Sequence, residues 1–150
     1  IDSAPLQRKY VTRLEIWLLK RMEPVYLCYP WKYLLKSGTT GVAVSEYGKT
    51  LMYDMMMVYD GDKKRYARIA GHGFKILANA MERDLPYAIR CPALLICGEQ
   101  DRAGSCIRYN KAWNKNTGIP LEWIKEAGHN ANTDKPETVN QLIEKIVEQL

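Results

Sequence analysis

Asp101 and His129 are the two residues whose types and positions could do chemistry together. Asp101 ends the segment Gly98-Glu99-Gln100-Asp101, which follows an apolar run at residues 92–98. His129 ends Glu126-Ala127-Gly128-His129, which follows a second strand-like run at residues 121–125. A carboxylate beside an imidazole accepts the Nδ1–H, fixes the tautomer and stabilises the imidazolium. The other ring nitrogen is then free to take a proton from a nucleophile. Either residue alone is ordinary, because Asp is common in turns and a single His beside Gly carries little weight. The pair is more specific, since each member sits at the C-terminal end of its own strand, where catalytic groups collect in open α/β sheets.

Those positions require elements to hold them. Residues 92–98 form a continuous apolar run of the length expected for a strand buried on both faces. Residues 104–116 predict a helix closed by Gly118, and a helix beginning near Pro136 carries Val139, Leu142, Ile143, Ile146, Val147 and Leu150 at helical spacing. The β-α-β-α order predicts parallel strands joined by crossover helices.

The stretch before them is almost wholly helical in pattern. Ile1-Asp2 reads as the end of a strand, with Ser3 and Pro5 opening a helix that carries Leu6, Tyr10, Leu14, Trp17 and Leu18 and ends at Glu23-Pro24. A short helix follows at residues 30–35, stopped by Gly38, and a longer one at residues 46–59. Asp60-Gly61-Asp62 is a turn and cap for a helix to about Arg83, in which Gly71 and Gly73 predict a weak point or a break. His72 between those glycines carries no chemistry in this reading.

Two strands cannot form an independent parallel sheet covered on both faces. Together with an initial Ile1, this creates the expectation that the chain is a piece of a larger domain whose other strands precede it.

Composition narrows the function classes. The chain has 150 residues, 47% hydrophobic and 26% charged, which is ordinary for a globular domain. No apolar run reaches the roughly 18 residues of a membrane span. The net charge of +5 comes from residues 1–90, where basic side chains are dispersed among Tyr, Met and Leu, and residues 91–150 are close to neutral. The one cluster, Lys63-Lys64-Arg65 with Arg68, reads as a solvated helix start, so no nucleic-acid partner is expected. Cys28, Cys91, Cys97 and Cys106 show no CxxC or zinc-ligand spacing. They predict reduced cysteines in a cytoplasmic setting, with no metal and no cofactor.

At this point a family resemblance becomes specific. Pro92-Ala-Leu-Leu-Ile-Cys-Gly-Glu-Gln-Asp101 resembles the acid-bearing strand motif of the α/β-hydrolase superfamily. Ala127-Gly128-His129, followed by Asp134-Lys135-Pro136-Glu137 and an amphipathic helix, is similar to its final strand, histidine and last helix. The resemblance implies a partial α/β-hydrolase fold: a helical cap followed by the last two β-α units of a parallel sheet. Residues 1–90 would be the end of a core strand plus the cap, and residues 91–150 the C-terminal part of the core. It implies Asp101 as the triad acid and His129 as the general base, with Asp2 as the runner-up acid. The superfamily's nucleophile sits in a G-x-S-x-G elbow. None of the serines here, at positions 3, 37, 45 and 105, lies in such a motif. The nucleophile is therefore expected upstream of Ile1.

The resulting expectation is a hydrolase acting on carboxyl-ester-like bonds of a small-molecule substrate, the 150-residue piece alone being inactive. Trp17, Trp31, Tyr53 and Met56 are the candidate apolar pocket walls. The competing expectation is a non-catalytic binding or interaction module that keeps the cap and pocket wall.

Overall fold

The computed structural model describes residues 1–86 and 88–148. After an irregular start and a 3-10 turn at Arg8–Tyr10, five helices follow: α1 (Arg13–Leu19), α2 (Met22–Cys28), α3 (Trp31–Thr39), α4 (Glu46–Met57) and α5 (Lys63–Arg83). Then come β1 (Leu95–Gly98), α6 (Cys106–Thr117), β2 (Leu121–Ile124), the single turn α7 (Ala131–Asp134) and α8 (Pro136–Val147). Leu150, placed on the last helix by its spacing, lies outside the described residues. Among the described residues no helix is long and apolar enough to cross a membrane.

The expected fold class is corrected by this architecture. The described residues are 59% helical, with eight α-helices and two strands of four residues each. This is not a hydrolase-like parallel sheet of β-α units. The two strands are parallel and paired from Leu95 with Leu121 to Gly98 with Ile124, so the expected pairing is present while the expected sheet is not. The reason lies at the outer edge of β1. Instead of a third strand, Asp2 closes that edge. Its amide donates to the Ile96 carbonyl at 2.8 Å, and its Oδ1 accepts from the Gly98 amide at 2.9 Å. A side chain can satisfy an edge where a strand is lacking. Ile1-Asp2 is correspondingly not a strand end but an edge clip, with Asp2 in the left-handed region at φ 43°.

Two apolar clusters hold the chain together. Ile96 and Ile124 of the strands pack with Ala127, Ala131 and Val139, which buries β1 between helical neighbours. Tyr10, Val11 and Ile16 pack with Ala78 and Met81 of α5 and Tyr109 of α6, which ties the N-terminal helices to the strand-bearing half.

Local signals explain where several helix boundaries differ from expectation. Thr12, not Ser3, starts α1, through a capping box in which its hydroxyl accepts from the Glu15 amide and Glu15 accepts from the Thr12 amide. Pro24 does not end a helix; it lies in the first turn of α2, where a proline needs no amide partner. Gly38 lies inside α3, facing the Met56 side chain.

The two glycines of α5 do not break it, and they do different work. A Cβ on Gly71 would lie 2.5–2.7 Å from Glu23 backbone and Cβ atoms, so this glycine allows α2 to sit directly on α5. A Cβ on Gly73 would meet nothing within 4 Å. Gly71→Ala should therefore destabilise the fold by about 1–3 kcal/mol through overpacking. Gly73→Ala should stabilise it by about 0.5–1 kcal/mol through helix propensity. Urea midpoints of the two variants check both signs, and equal shifts would remove the close α2–α5 approach.

Candidate functional site

The two parallel strands end side by side, and the turns leaving them bring Asp101 and His129 together. Asp101 follows β1, and its amide bonds back to the Gly98 carbonyl at 3.2 Å. His129 follows β2 after a turn in which Glu126 takes a left-handed conformation at φ 54°. Gly98 has to be glycine for this approach, because a Cβ there would fall 2.1 Å from the Gly128 carbonyl oxygen.

His129 Nδ1 lies 3.0 Å from Asp101 Oδ2. The Asp101 side chain is fully buried, and that of His129 is 35% exposed. Asp101 Oδ1 accepts from the Ala103 amide at 2.7 Å, which fixes the carboxylate plane. Among the described residues the second ring nitrogen of His129 meets no hydrogen-bond partner. An acceptor held on Nδ1 makes that nitrogen the donor, and so leaves Nε2 as the basic atom.

The electrostatics agree with this pairing. Burial pushes the Asp101 carboxyl up, but hydrogen bonds from His129, the Ala103 amide and Cys106 outweigh it, so its pKa falls below the ordinary carboxylate value. The hydrogen bond to Asp101 raises the His129 pKa against the opposing effect of burial, with the charges of Asp101 and Asp2 adding to the rise. A raised histidine pKa means that the imidazolium–carboxylate pair stabilises the fold below the ordinary histidine range. That contribution is lost as pH rises through the raised value. Proton acceptance runs the other way and requires the neutral ring, so it grows across the same window. In an NMR pH titration His129 should titrate above 6.5, and Asp101→Asn should bring it to 6.5 or below. Titration of the unmodified His129 at or below 6.5 would contradict the pairing.

Asp2, the runner-up acid, does not touch the imidazole. Its second carboxylate oxygen accepts from the Ala131 amide at 3.3 Å, and burial raises its pKa, opposed by its hydrogen bonds. Donor atoms of Asp2, Cys97, Asp101 and Cys106 lie within 4.8 Å of one another, a spacing that a tetrahedral metal shell could accommodate. Each carboxylate already holds backbone amides. The Cys106 thiol is pushed far up by its hydrogen bond with Cys97, by burial and by Asp101, so it stays protonated. A protonated thiol is a poor nucleophile. As it stands the cluster is joined by hydrogen bonds next to the acid.

The four candidate pocket residues are not brought together. Trp17 is half exposed under the Arg21 guanidinium and lines a cavity with Arg8, Arg13 and Glu82. Trp31 packs edge-on against Tyr66, Tyr53 is exposed, and Met56 is buried against Gly38. Met52 is the methionine of α4 that reaches the site, its sulfur 2.8 Å from Asn130 Nδ2.

Asp134 was missed as a site residue. It is buried, and it accepts from the amides of Val44, Ser45 and Gly128 and from the Ser45 hydroxyl, at 2.8–3.0 Å. Asn130 adds an amide bond to the Val42 carbonyl at 3.1 Å. The loop before α4 is thereby clasped to the His129 turn. Its sequence signal is its place at the head of Asp134-Lys135-Pro136-Glu137, just past His129. Glu15 plays a similar part elsewhere, accepting from Ser105, Arg108 and Tyr109. Burial opposes ionisation, but the bonds from Ser105, Thr12 and Arg108 bring its pKa down to about 2.

No family model, no curated protein and no solved structure matches the chain.

Proposed function

We propose that the Asp101–His129 pair is the acid and general base of a hydrolase acting on carboxyl-ester-like bonds, with an attacking hydroxyl supplied by a residue upstream of Ile1. The observation that carries this reading is the 3.0 Å bond between a fully buried carboxylate and a part-exposed imidazole whose other nitrogen is open. The resemblance of the segments ending at Asp101 and His129 to hydrolase motifs supports it. Acid–histidine pairs recur on unrelated scaffolds, so the pair does not need a hydrolase-like sheet around it.

In this reading the nucleophile's proton passes to His129 Nε2 as its oxygen bonds to the ester carbonyl carbon. His129 then returns that proton to the leaving alcohol as the C–O bond breaks. Water repeats the sequence on the acyl intermediate and restores the nucleophile. Asp101 positions the ring and stabilises the imidazolium without itself taking the proton. Within the described residues, the hydroxyls of Ser45 and Ser105 are held by Asp134 and Glu15, and no serine is bonded to His129.

A fluorophosphonate probe tests the assignment. The product of the full reading frame should be labelled on a residue preceding Ile1, and that labelling should be lost in His129→Ala. Labelling within residues 1–150 would overturn the upstream nucleophile. Absence of both labelling and ester hydrolysis in the full product would favour a binding module.

A further inference from the structure

We propose that the cavity between residues 40–44 and the His129 turn is a carboxylate-recognition subsite, so that the substrate of the pair is a small ester carrying a free carboxylate. This rests on the hydrolase reading above for its catalytic half, and on the cavity alone for its binding half.

The cavity encloses about 250 Å³. Its walls are the loop at residues 40–44, Gly128, Gln100, and the side chains of Lys49 and Arg102. Gly128 precedes His129, and Gln100 and Arg102 flank Asp101, so three of the lining residues are immediate chain neighbours of the pair, which does not itself line the space. It is smaller than the roughly 300–1,000 Å³ of sites for drug-sized ligands, which suits a compact polar group. The walls are fixed rather than loose, because Asp134 holds the Val44, Ser45 and Gly128 amides together.

Its charge is one-sided. Two cations line it and no carboxylate does. Among the described residues Arg102 takes part in no ion pair, and Lys49 pairs only with Glu46, whose side chain is 91% exposed. A solvent-exposed pair of that kind contributes little and yields readily to a better partner. The buried Asp134 does not line the space; its carboxylate lies behind the wall, turned to the Val44, Ser45 and Gly128 amides and the Ser45 hydroxyl.

The donors present favour a carboxylate over a phosphate. Phosphate sites draw on several free backbone amides, typically at a helix N-terminus. Here the amides of Val44 and Ser45 are held by Asp134 and that of Gly48 by the Ser45 hydroxyl, so three of the amides around the start of α4 are engaged. The side-chain donors in the lining that carry a charge or an amide are one guanidinium fork, one ammonium and one carboxamide. An arginine fork matches a planar carboxylate with two parallel bonds, and a lysine adds a point charge.

The test titrates the product of the full reading frame with propionate, its neutral isostere propionamide, and inorganic phosphate, followed by amide NMR shifts. Propionate should give saturable shifts at Gly41, Val42 and Gly128, with propionamide and phosphate at least about tenfold weaker. Lys49→Gln/Arg102→Gln should weaken propionate by about tenfold or more, with an otherwise native spectrum. Equal binding of propionamide, tighter binding of phosphate, or undiminished binding in the double variant would each overturn the subsite. The two readings fail separately. Selective propionate binding without ester hydrolysis by the full product retains the subsite and overturns the hydrolase. Hydrolysis of neutral and carboxylate-bearing esters with equal kcat/KM overturns the subsite and retains the pair.

Discussion

With the nucleophile in place, His129→Ala should lower kcat for ester hydrolysis by on the order of 10⁴- to 10⁶-fold, with little change in KM. The size follows from what Nε2 does. In the proposed reaction it takes the proton of the attacking hydroxyl and delivers it to the leaving group, so its loss affects both halves. Asp101→Asn should cost about 10⁴-fold for a different reason: the asparagine amide can hold the wrong tautomer and leaves the imidazolium without its counter-charge. The two losses should not add, because both act through the same proton transfer. The pH profile separates the roles. In the unmodified protein activity should rise through the raised His129 pKa, whereas the residual activity of Asp101→Asn should rise at lower pH. Neither substitution should unfold the chain. His129 is part-exposed, and in Asp101→Asn the side-chain carbonyl oxygen can still accept from the Ala103 amide. Full turnover in His129→Ala, measured on the product of the whole reading frame, would remove the pair from the mechanism.

The meeting of Asp101 and His129 was more legible than the architecture around it. Asp101 and His129 could be found because each lies directly after a short apolar segment, and position after a strand is a local property. Residues 95–98 and 121–124 are parallel strands, as the order implied. The sheet was not legible, because strand number depends on what closes each edge, and here Asp2 closes β1 from 96 residues away. Helix ends were read from Gly and Pro, and these misled wherever tertiary packing prevailed. Gly71 marks a close helix contact rather than a break, and Pro24 begins a helix rather than ending one. The aromatic and methionine residues named as pocket walls were chosen by type. Type does not say which face of a helix meets the site, and Met52 rather than Met56 does so.

Asp134→Ala should cause the largest loss of stability of any single substitution considered, about 3–5 kcal/mol. Its carboxylate is one acceptor serving four donor groups from two distant parts of the chain. Alanine would leave the Val44, Ser45 and Gly128 amides without acceptors in a part-buried crevice that Gly128 and Val42 already fill, where a Gly128 Cβ would lie 2.8 Å from the Val42 oxygen. Burial opposes ionisation of Asp134, but the amide and hydroxyl bonds prevail and its pKa is lowered. A lowered carboxylate pKa means that the clasp stabilises the fold above the ordinary aspartate range. The contribution is lost as pH falls through the folded value, so unmodified protein and Asp134→Ala should converge in stability at strongly acid pH. Lys135→Ala is the matched control: its ion pair with Glu126 is largely exposed, and its removal should cost less than about 1 kcal/mol. Urea midpoints measure the difference, and hydrogen exchange locates it. Faster exchange at Val44, Ser45 and Gly128 with an intact Ile96–Ile124 cluster would show the loop before α4 parting from the His129 turn. Unchanged exchange at those three amides would show that Asp134 is not what holds them.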